Sequence, residues 1–412
     1  MELGLGERME LLGRAPAFRL LLVASVASAV GTWLAFVALT VDVWDKTHSS
    51  VWVAALLAAD FLPMVAVGLL LAPLVDRLVR KNVLVGADLI RCGVFLLLPF
   101  TSSPGAIVLL AAVAGFATGF FRPAVYAGMP NLVVDDDLPQ ANSLLQASEN
   151  LAWMLIPPLA GVFVALWGPD PGYVANAASF ALSAALIVRI PSRLLQEAKA
   201  ASEGHVRDLV AGLRLVLTAR PLLTVFVAWN VFIIASAGVN VAEITFAKET
   251  LGSGDFGFGL LIGASGLGLV LGSYLAGTIV GRVPMGSIYG ASIGLFALGI
   301  FAAAVSPSLW IAAVLIAAAG FGNGIAVVCN VLFVQRGAPD ELRGRAFTII
   351  MSTNYAVFGV AMAASGLVTD ALGARWAWAL AAGFAGLAAV LGYMLAPRAA
   401  ADEHTELTPE PA

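Results

Sequence analysis

Apolar residues run almost unbroken along this chain, interrupted every twenty to thirty positions by a short polar or turn-forming segment. Each run is long enough to cross ~30 Å of hydrocarbon at ~1.5 Å per residue. The pattern therefore predicts helical spans at 18–42, 51–75, 82–101, 105–129, 142–167, 172–190, 221–246, 256–280, 285–305, 308–333, 346–370 and 376–396, twelve in all. The runs lack the inside-outside alternation of a barrel strand, which excludes a transmembrane β-barrel. The longest polar interval, 191–220, leaves six spans on either side. The expected organisation is an all-α membrane protein: a cytoplasmic leader over 1–17, a six-helix bundle over 18–190, a linker over 191–220, a second six-helix bundle over 221–396 and a disordered tail over 397–412.

Composition agrees, with 60% hydrophobic and 12% charged residues, against the ~25% charged of an ordinary soluble domain. The net charge of −4 implies no nucleic-acid partner. Basic residues in short loops are held on the cytoplasmic side of a membrane. Placing both termini inside leaves only Lys46, Lys248 and Arg375 in outer loops, with Arg91 and Arg122 within spans. A multi-pass protein of the plasma or inner membrane with cytoplasmic termini is therefore expected. The leader carries acids as well as bases and no small-residue cleavage site, so it reads as retained. In the linker, Glu197, Lys199, Glu203, Arg207 and Arg214 alternate with apolar residues, as in a helix lying on the membrane surface. Cys92 and Cys329 lie in apolar runs without metal-ligand spacing. No catalytic motif, metal site, nucleotide-binding loop or cofactor is implied, so the protein reads as no enzyme.

The two halves match at a fixed offset. "APLVDR" at 72–77 meets "GTIVGR" at 277–282, and Ser148, Asn150 and Ala152 meet Ser352, Asn354 and Ala356. Duplicated bundles of this kind rock about a central site. On these features the chain resembles the major facilitator superfamily. Asp76, Arg77, Arg80 and Lys81 occupy the places of its G-x-x-x-D-R-x-G-R-K signature, with Ala72 and Val79 at the two glycine positions. "ADLIR", "FRPAVYAGMPNLV", "ANSLLQASENLA" and "PDELRGRAF" resemble the branch of macrolide-efflux proteins and siderophore exporters of the enterobactin type. "PPLAG" at 157–161 is similar to part of the antiporter motif G-P-x-x-G-G. The resemblance implies that Asp76 latches a cytoplasmic gate with Arg77, Arg80 and Lys81; its second-half counterpart is Gly281. Asp88 and Arg91, three residues apart on the next span, are expected to pair beside that gate. For the basic members, topology anchoring alone is a sufficient role.

Intramembrane charges are functional candidates because their insertion must be offset. Asp60 lies nearest a span centre with no cation close in sequence, and suits proton uptake and release or a hydrogen bond to a neighbouring helix. Arg122 and Glu149 share a depth and can bridge the fourth and fifth spans, either as a structural pair or as a coupling site. Glu243 ends a polar stripe on the seventh span with Ser236 and Asn240 and is a further proton-coupling candidate, with simple hydration near the outer end as the alternative. Thr32, Trp33, Tyr126, Trp153, Trp229 and Asn354 complete a candidate substrate cavity, although small polar and tryptophan residues also serve helix packing and interfaces. His48, His205 and His404 all fall outside the spans, so a proton relay would run on carboxylates.

The expectation is a monomeric secondary-active exporter of a small amphipathic or drug-like solute, driven by the proton gradient and in contact with membrane lipids. A lipid or lysolipid translocator and a non-transporting receptor or scaffold are the alternatives. Transport assays on Asp76→Asn, at normal expression, should show slower flux with substrate binding kept; unchanged flux removes the latch.

Overall fold

The computed structural model describes residues 11–70, 78–195, 213–280, 282–338 and 340–397. Among them are twelve helices long and apolar enough to cross a membrane. They are α1 (Pro16–Thr47), α2 (Ser50–Leu70), α3 (Arg80–Leu97), α4 (Pro104–Gly128), α5 (Leu138–Trp167), α6 (Asp170–Val188), α7 (Arg220–Thr250), α8 (Gly254–Ile279), α9 (Met285–Val305), α10 (Leu309–Gly337), α11 (Asp340–Leu372) and α12 (Ala374–Leu395). Asp76 and Arg77, most of the leader, the expected surface helix of the linker and the expected disordered tail lie outside the described residues.

Local chemistry sets the helix ends. Proline occupies the first turn of α1, α4, α5, α6 and α7, where its missing N–H is harmless and its fixed φ suits a helix. Gly168 and Gly373 separate α5 from α6 and α11 from α12 with φ of 77° and 84°, a conformation strained for any residue with a Cβ. Pro63, Pro123, Pro157 and Pro158 stand inside helices, which membrane spans tolerate because neighbouring groups satisfy the freed carbonyls.

The duplication is visible in these elements. Helix starts recur 204 or 205 residues on, from Pro16 to Arg220, Ser50 to Gly254, Arg80 to Met285, Pro104 to Leu309 and Asp170 to Ala374, as does the glycine break at 168 and 373. Side contacts recur too. Gly115 and Gly119 of α4 press on the backbone carbonyls of Asp60 and Met64 in α2, while Gly320 and Gly324 of α10 press on those of Ser265 and Leu269 in α8. Small residues let these backbones approach, and van der Waals packing then holds helices that water cannot drive together.

Two compact units result: Met1–Ser202 with Ala247–Gly263, and Glu203–Phe246 with Ala264–Ala412. In the first, α1 packs on α5 and α6, α3 on α4 and α6, and α2 on α4; in the second, α7 packs on α11 and α12, and α9 on α10 and α12. Residues 247–263, assigned by sequence to the second bundle, group with the first unit. There Gly259 and Gly263 of α8 meet Pro157 and Pro158 of α5, and Gly161 meets Asp255 and Phe256. Thus the "PPLAG" stretch acts as a close-packing surface.

A large side chain at the paired glycines should overpack both units. Gly115→Leu and Gly320→Leu are each expected to lose about 1–3 kcal/mol of stability. Gly383→Ala, with nothing within 4 Å of the added methyl, should be neutral. Heating of detergent-purified protein followed by size-exclusion chromatography reads the difference.

Candidate functional site

Arg91 is the most enclosed cation among the described residues of the first unit. It stands twelfth in α3, roughly 16 Å along the helix by its rise per residue. Its Nη2 lies 2.5 Å from Asp88 Oδ1, one turn back, with the arginine side chain 4% exposed and the aspartate fully buried. Phe121 of α4 and Phe180 of α6 cover the guanidinium, their ring centroids 4.3 and 4.2 Å from Cζ. Rings in that position attract a cation while excluding water. Asp60 of α2 lies near enough to Arg91 to feel its charge, and it is exposed at the protein's surface although set within a span. The cation absent from the sequence around Asp60 is thus supplied laterally by α3. Sequence grouped Asp88 and Arg91 with the gate; the structure groups them with Asp60. Breaking such a buried pair from one side costs about 3–5 kcal/mol.

The gate residues Arg80 and Lys81 act locally. Arg80 Nη1 donates to Leu195 O at 3.1 Å and Lys81 Nζ to Val188 O at 2.6 Å. These bonds tie the first turn of α3 to the last carbonyl of α6 and to the segment that follows it, where cations are favoured.

A second constellation lines α4 and α5. Arg122 Nη2 meets Glu149 Oε2 at 3.1 Å, with side chains 52% and 27% exposed. A guanidinium so open inside a span cannot face hydrocarbon cheaply, since insertion costs at least ~2.5 kcal/mol; it requires a watery surface. Tyr126 stands beside Arg122. One turn beyond Glu149, Trp153 stacks on Trp33 of α1 at 5.9 Å and 21°, next to the exposed Thr32. Gln146 Nε2 donates to Asn150 Oδ1 at 3.2 Å on the same helix. Charge, amide and a double indole face thereby share one flank of the first unit.

The second unit is built differently at the matching places. A shift of 205 residues carries Asp60, Asp88, Arg91 and Arg122 to Ser265, Ile293, Phe296 and Val327, and a shift of 204 carries Glu149 to Thr353. Phe296 meets Phe232 edge-on at 4.7 Å, and Phe232 stacks on Trp229 at 4.5 Å. Trp229 is buried in this cluster, so it is a core residue and not a cavity wall. Glu243 is 8% exposed, with no ion-pair partner among the described residues, which removes the hydrated alternative for this proton-coupling candidate. Asn240 Nδ2 donates to Ser236 O at 2.7 Å, closing much of the α7 stripe on itself. Asn354 is 3% exposed, and neither amide atom has a partner among the described residues.

One cluster has no counterpart in the sequence reading. Lys248 Nζ lies 2.5 Å from Asp45 Oδ1 and 2.7 Å from Asp255 Oδ1, while Asp42 Oδ2 accepts from Lys46 and from Tyr173 at 2.7 and 2.9 Å. Acids at 42, 45 and 255 near helix ends were its available signal, but which base joins them depends on lateral packing.

Macrolide efflux protein A of Streptococcus pyogenes is 22% identical over 203 residues, 48% of this chain and 50% of that protein. Enterobactin exporter EntS of Shigella boydii serotype 4 (strain Sb227) is 30% identical over 222 residues, 52% of each. The chain thus spans about half the length of the curated relatives it matches. Its fold is similar to a bacterial homologue of the iron transporter ferroportin in an inward-facing state, with TM-score 0.76, 15% identity and 93% and 99% of the two chains covered. It is also similar to a bacterial homologue of the human lysosomal transporter Spinster, with TM-score 0.75, 11% identity and 93% and 96% covered. The family model described as transmembrane secretion effector matches residues 13–411. Twelve membrane helices in two duplicated halves and that near-complete match make this chain a member of the transmembrane secretion effector family of major facilitator transporters.

Proposed function

We propose that this protein is a secondary-active exporter of the plasma membrane that moves a small amphipathic solute outward in exchange for protons, its termini in the cytoplasm. The observation that carries this reading is the asymmetry between the units. One scaffold, used twice, packs with Ile293, Phe296, Ser265, Val327 and Thr353 in one copy, where the other has Asp88, Arg91, Asp60, Arg122 and Glu149. Folding alone therefore does not demand these charges. A buried ion pair is often no better for stability than well-packed apolar residues and an exposed one contributes little, so the presence of these charges in one unit supports a task in transport.

Asp60, accessible and within reach of Arg91, is the proton carrier in this scheme. The Trp33–Trp153 stack, with Arg122, Glu149 and Tyr126 beside it, is the solute surface. Flat indoles next to a charge pair suit large solutes with both apolar and polar faces. The names of the two curated relatives, a macrolide efflux protein and an enterobactin exporter, point to the same solute class.

Inverted membrane vesicles test the energy source. Accumulation of a macrolide or of enterobactin should collapse with a protonophore and fall at least tenfold in Asp60→Asn at equal protein level; accumulation that survives both removes the mechanism. The Arg122–Glu149 pair separates stability from flux. Because exposed pairs contribute about 0–1 kcal/mol, Glu149→Gln should leave thermal stability nearly unchanged while slowing export several-fold, and full-speed export would make the pair purely structural.

A further inference from the structure

The corner between α7 and α8 belongs to one unit, while both helices that it joins continue into the other. Residues 247–263 group with the first unit, whereas 203–246 and 264–412 form the second. The change comes at a marked place in α7. Its last turn, Phe246–Thr250, is a π-helix, a rare winding that is frequent at functional positions. The matching turn of α1, 204 residues earlier, is regular α-helix. Gly252 and Gly254 follow with φ of 60° and 62°, and Ser253 closes the corner by donating from its N and Oγ to Ala247 O at 2.9 and 2.8 Å.

Lys248 stands in the middle of the π turn and fastens the corner. Its Nζ donates to Asp45 Oδ1 of α1 at 2.5 Å. It also lies 2.7 Å from Asp255 Oδ1 in the first turn of α8, as an ion pair without the alignment of a hydrogen bond. The receiving end of α1 is braced, because Asp42, one turn before Asp45, accepts from Lys46 and from Tyr173 of α6 at 2.7 and 2.9 Å. Beneath the corner, α8 lies on α5 through glycines: Gly259 meets Pro157, Gly263 meets Pro158, and Gly161 meets Asp255. Past residue 263 the glycines of α8 turn to another neighbour, Gly268 and Gly272 meeting Ala317 and Phe321 of α10. Small residues let backbones approach closely without interlocking side chains. The bridge from Lys248 is therefore the directional part of the attachment.

That bridge is built to come apart. Asp45 is 52% exposed and Lys248 14%, so both groups regain water on separation, and pairs of this kind add little to stability. Nor does the duplicated fold require it, since the place of Lys248 in α1 is taken by the buried Trp44.

We propose that Lys248 is a releasable catch. Bridged to Asp45 and Asp255, it holds the α7–α8 corner on the first unit; transport requires it to let go, so that the corner moves off α1 and α5 with the helices it joins. The π turn and the two positive-φ glycines are the hinge, since residues at element ends absorb such backbone changes. On the orientation proposed above, the catch lies on the outer side, opposite the cytoplasmic latch expected at Asp76.

Spin labels read the corner without any solute. They are placed at Trp167→Cys, on the exposed end of α5, and at Glu249→Cys, exposed on the π turn, in a full chain carrying Cys92→Ala and Cys329→Ala. Lys248→Met should enlarge the long-distance population at least about threefold over the native lysine, and Lys248→Arg should leave it unchanged. Identical distances with lysine and methionine overturn the catch, because a merely stabilising bridge alters the melting temperature and not the distribution. In a second arm, Asp45→Cys and Lys248→Cys are joined by a short, reducible thiol cross-linker. Export of a macrolide or of enterobactin should be at least about tenfold slower with the linker intact than after its cleavage, with single-cysteine variants indifferent to the reagent. Full-rate export by the cross-linked chain overturns the catch. This arm rests on the solute class proposed above: if the cleaved chain moves neither solute, that reading fails, and the spin-label distances still decide the catch.

Discussion

Arg91 must keep a full charge inside an oil-facing fold, and the first unit is arranged around that requirement. One carboxylate lies 2.5 Å away on its own helix, two aromatic rings close over its faces, and a second carboxylate on α2 adds its field. Each element that packs on α3 contributes to this enclosure, so the relative setting of α2, α3, α4 and α6 is tied to one side chain. Asp60 depends on the same arrangement, because the field of Arg91 reaches it across a helix boundary.

Duplication explains how such a centre can exist without dictating the fold. The glycine contacts between α2 and α4 recur between α8 and α10, and the helix starts recur at the same spacing. The backbone solution is therefore shared, and the side chains at its centre are free to differ. In one copy an aromatic cluster of Trp229, Phe232 and Phe296 gives a dry core. In the other the same places hold Ser25, Ser28 and Arg91. A transporter built on this plan has its charged cluster in one unit and an aromatic cluster at the matching place of the other, where Glu243 is a buried acid.

Much of this was legible in the residues. Spans follow from run length, helix starts from prolines, breaks from Gly168 and Gly373, and the repeat from Ser148, Asn150 and Ala152 recurring at 352, 354 and 356. The Asp88–Arg91 pair follows from its spacing on one helix, and the Arg122–Glu149 bridge from equal depth on consecutive ones. What resisted reading was rotation about each helix axis. A span that is apolar on every side carries no stripe to say which face looks where, so Trp229 read as a cavity wall and hydration stayed open for Glu243. The reach of Arg91 to Asp60, the Trp33–Trp153 stack and the Lys248 cluster all join helices whose mutual orientation only packing decides. Asp76 and Arg77, the strongest family signature, lie outside the described residues, and their role stays with the sequence.

The central claim is that the charges of the first unit carry protons in step with the solute. Proteoliposomes enclosing a pH-sensitive dye, given a solute that the protein moves, report this directly. The account predicts a proton current that starts with solute movement, runs opposite to it and vanishes when Asp60 is replaced by asparagine. Solute movement at full rate with no accompanying proton current would contradict it.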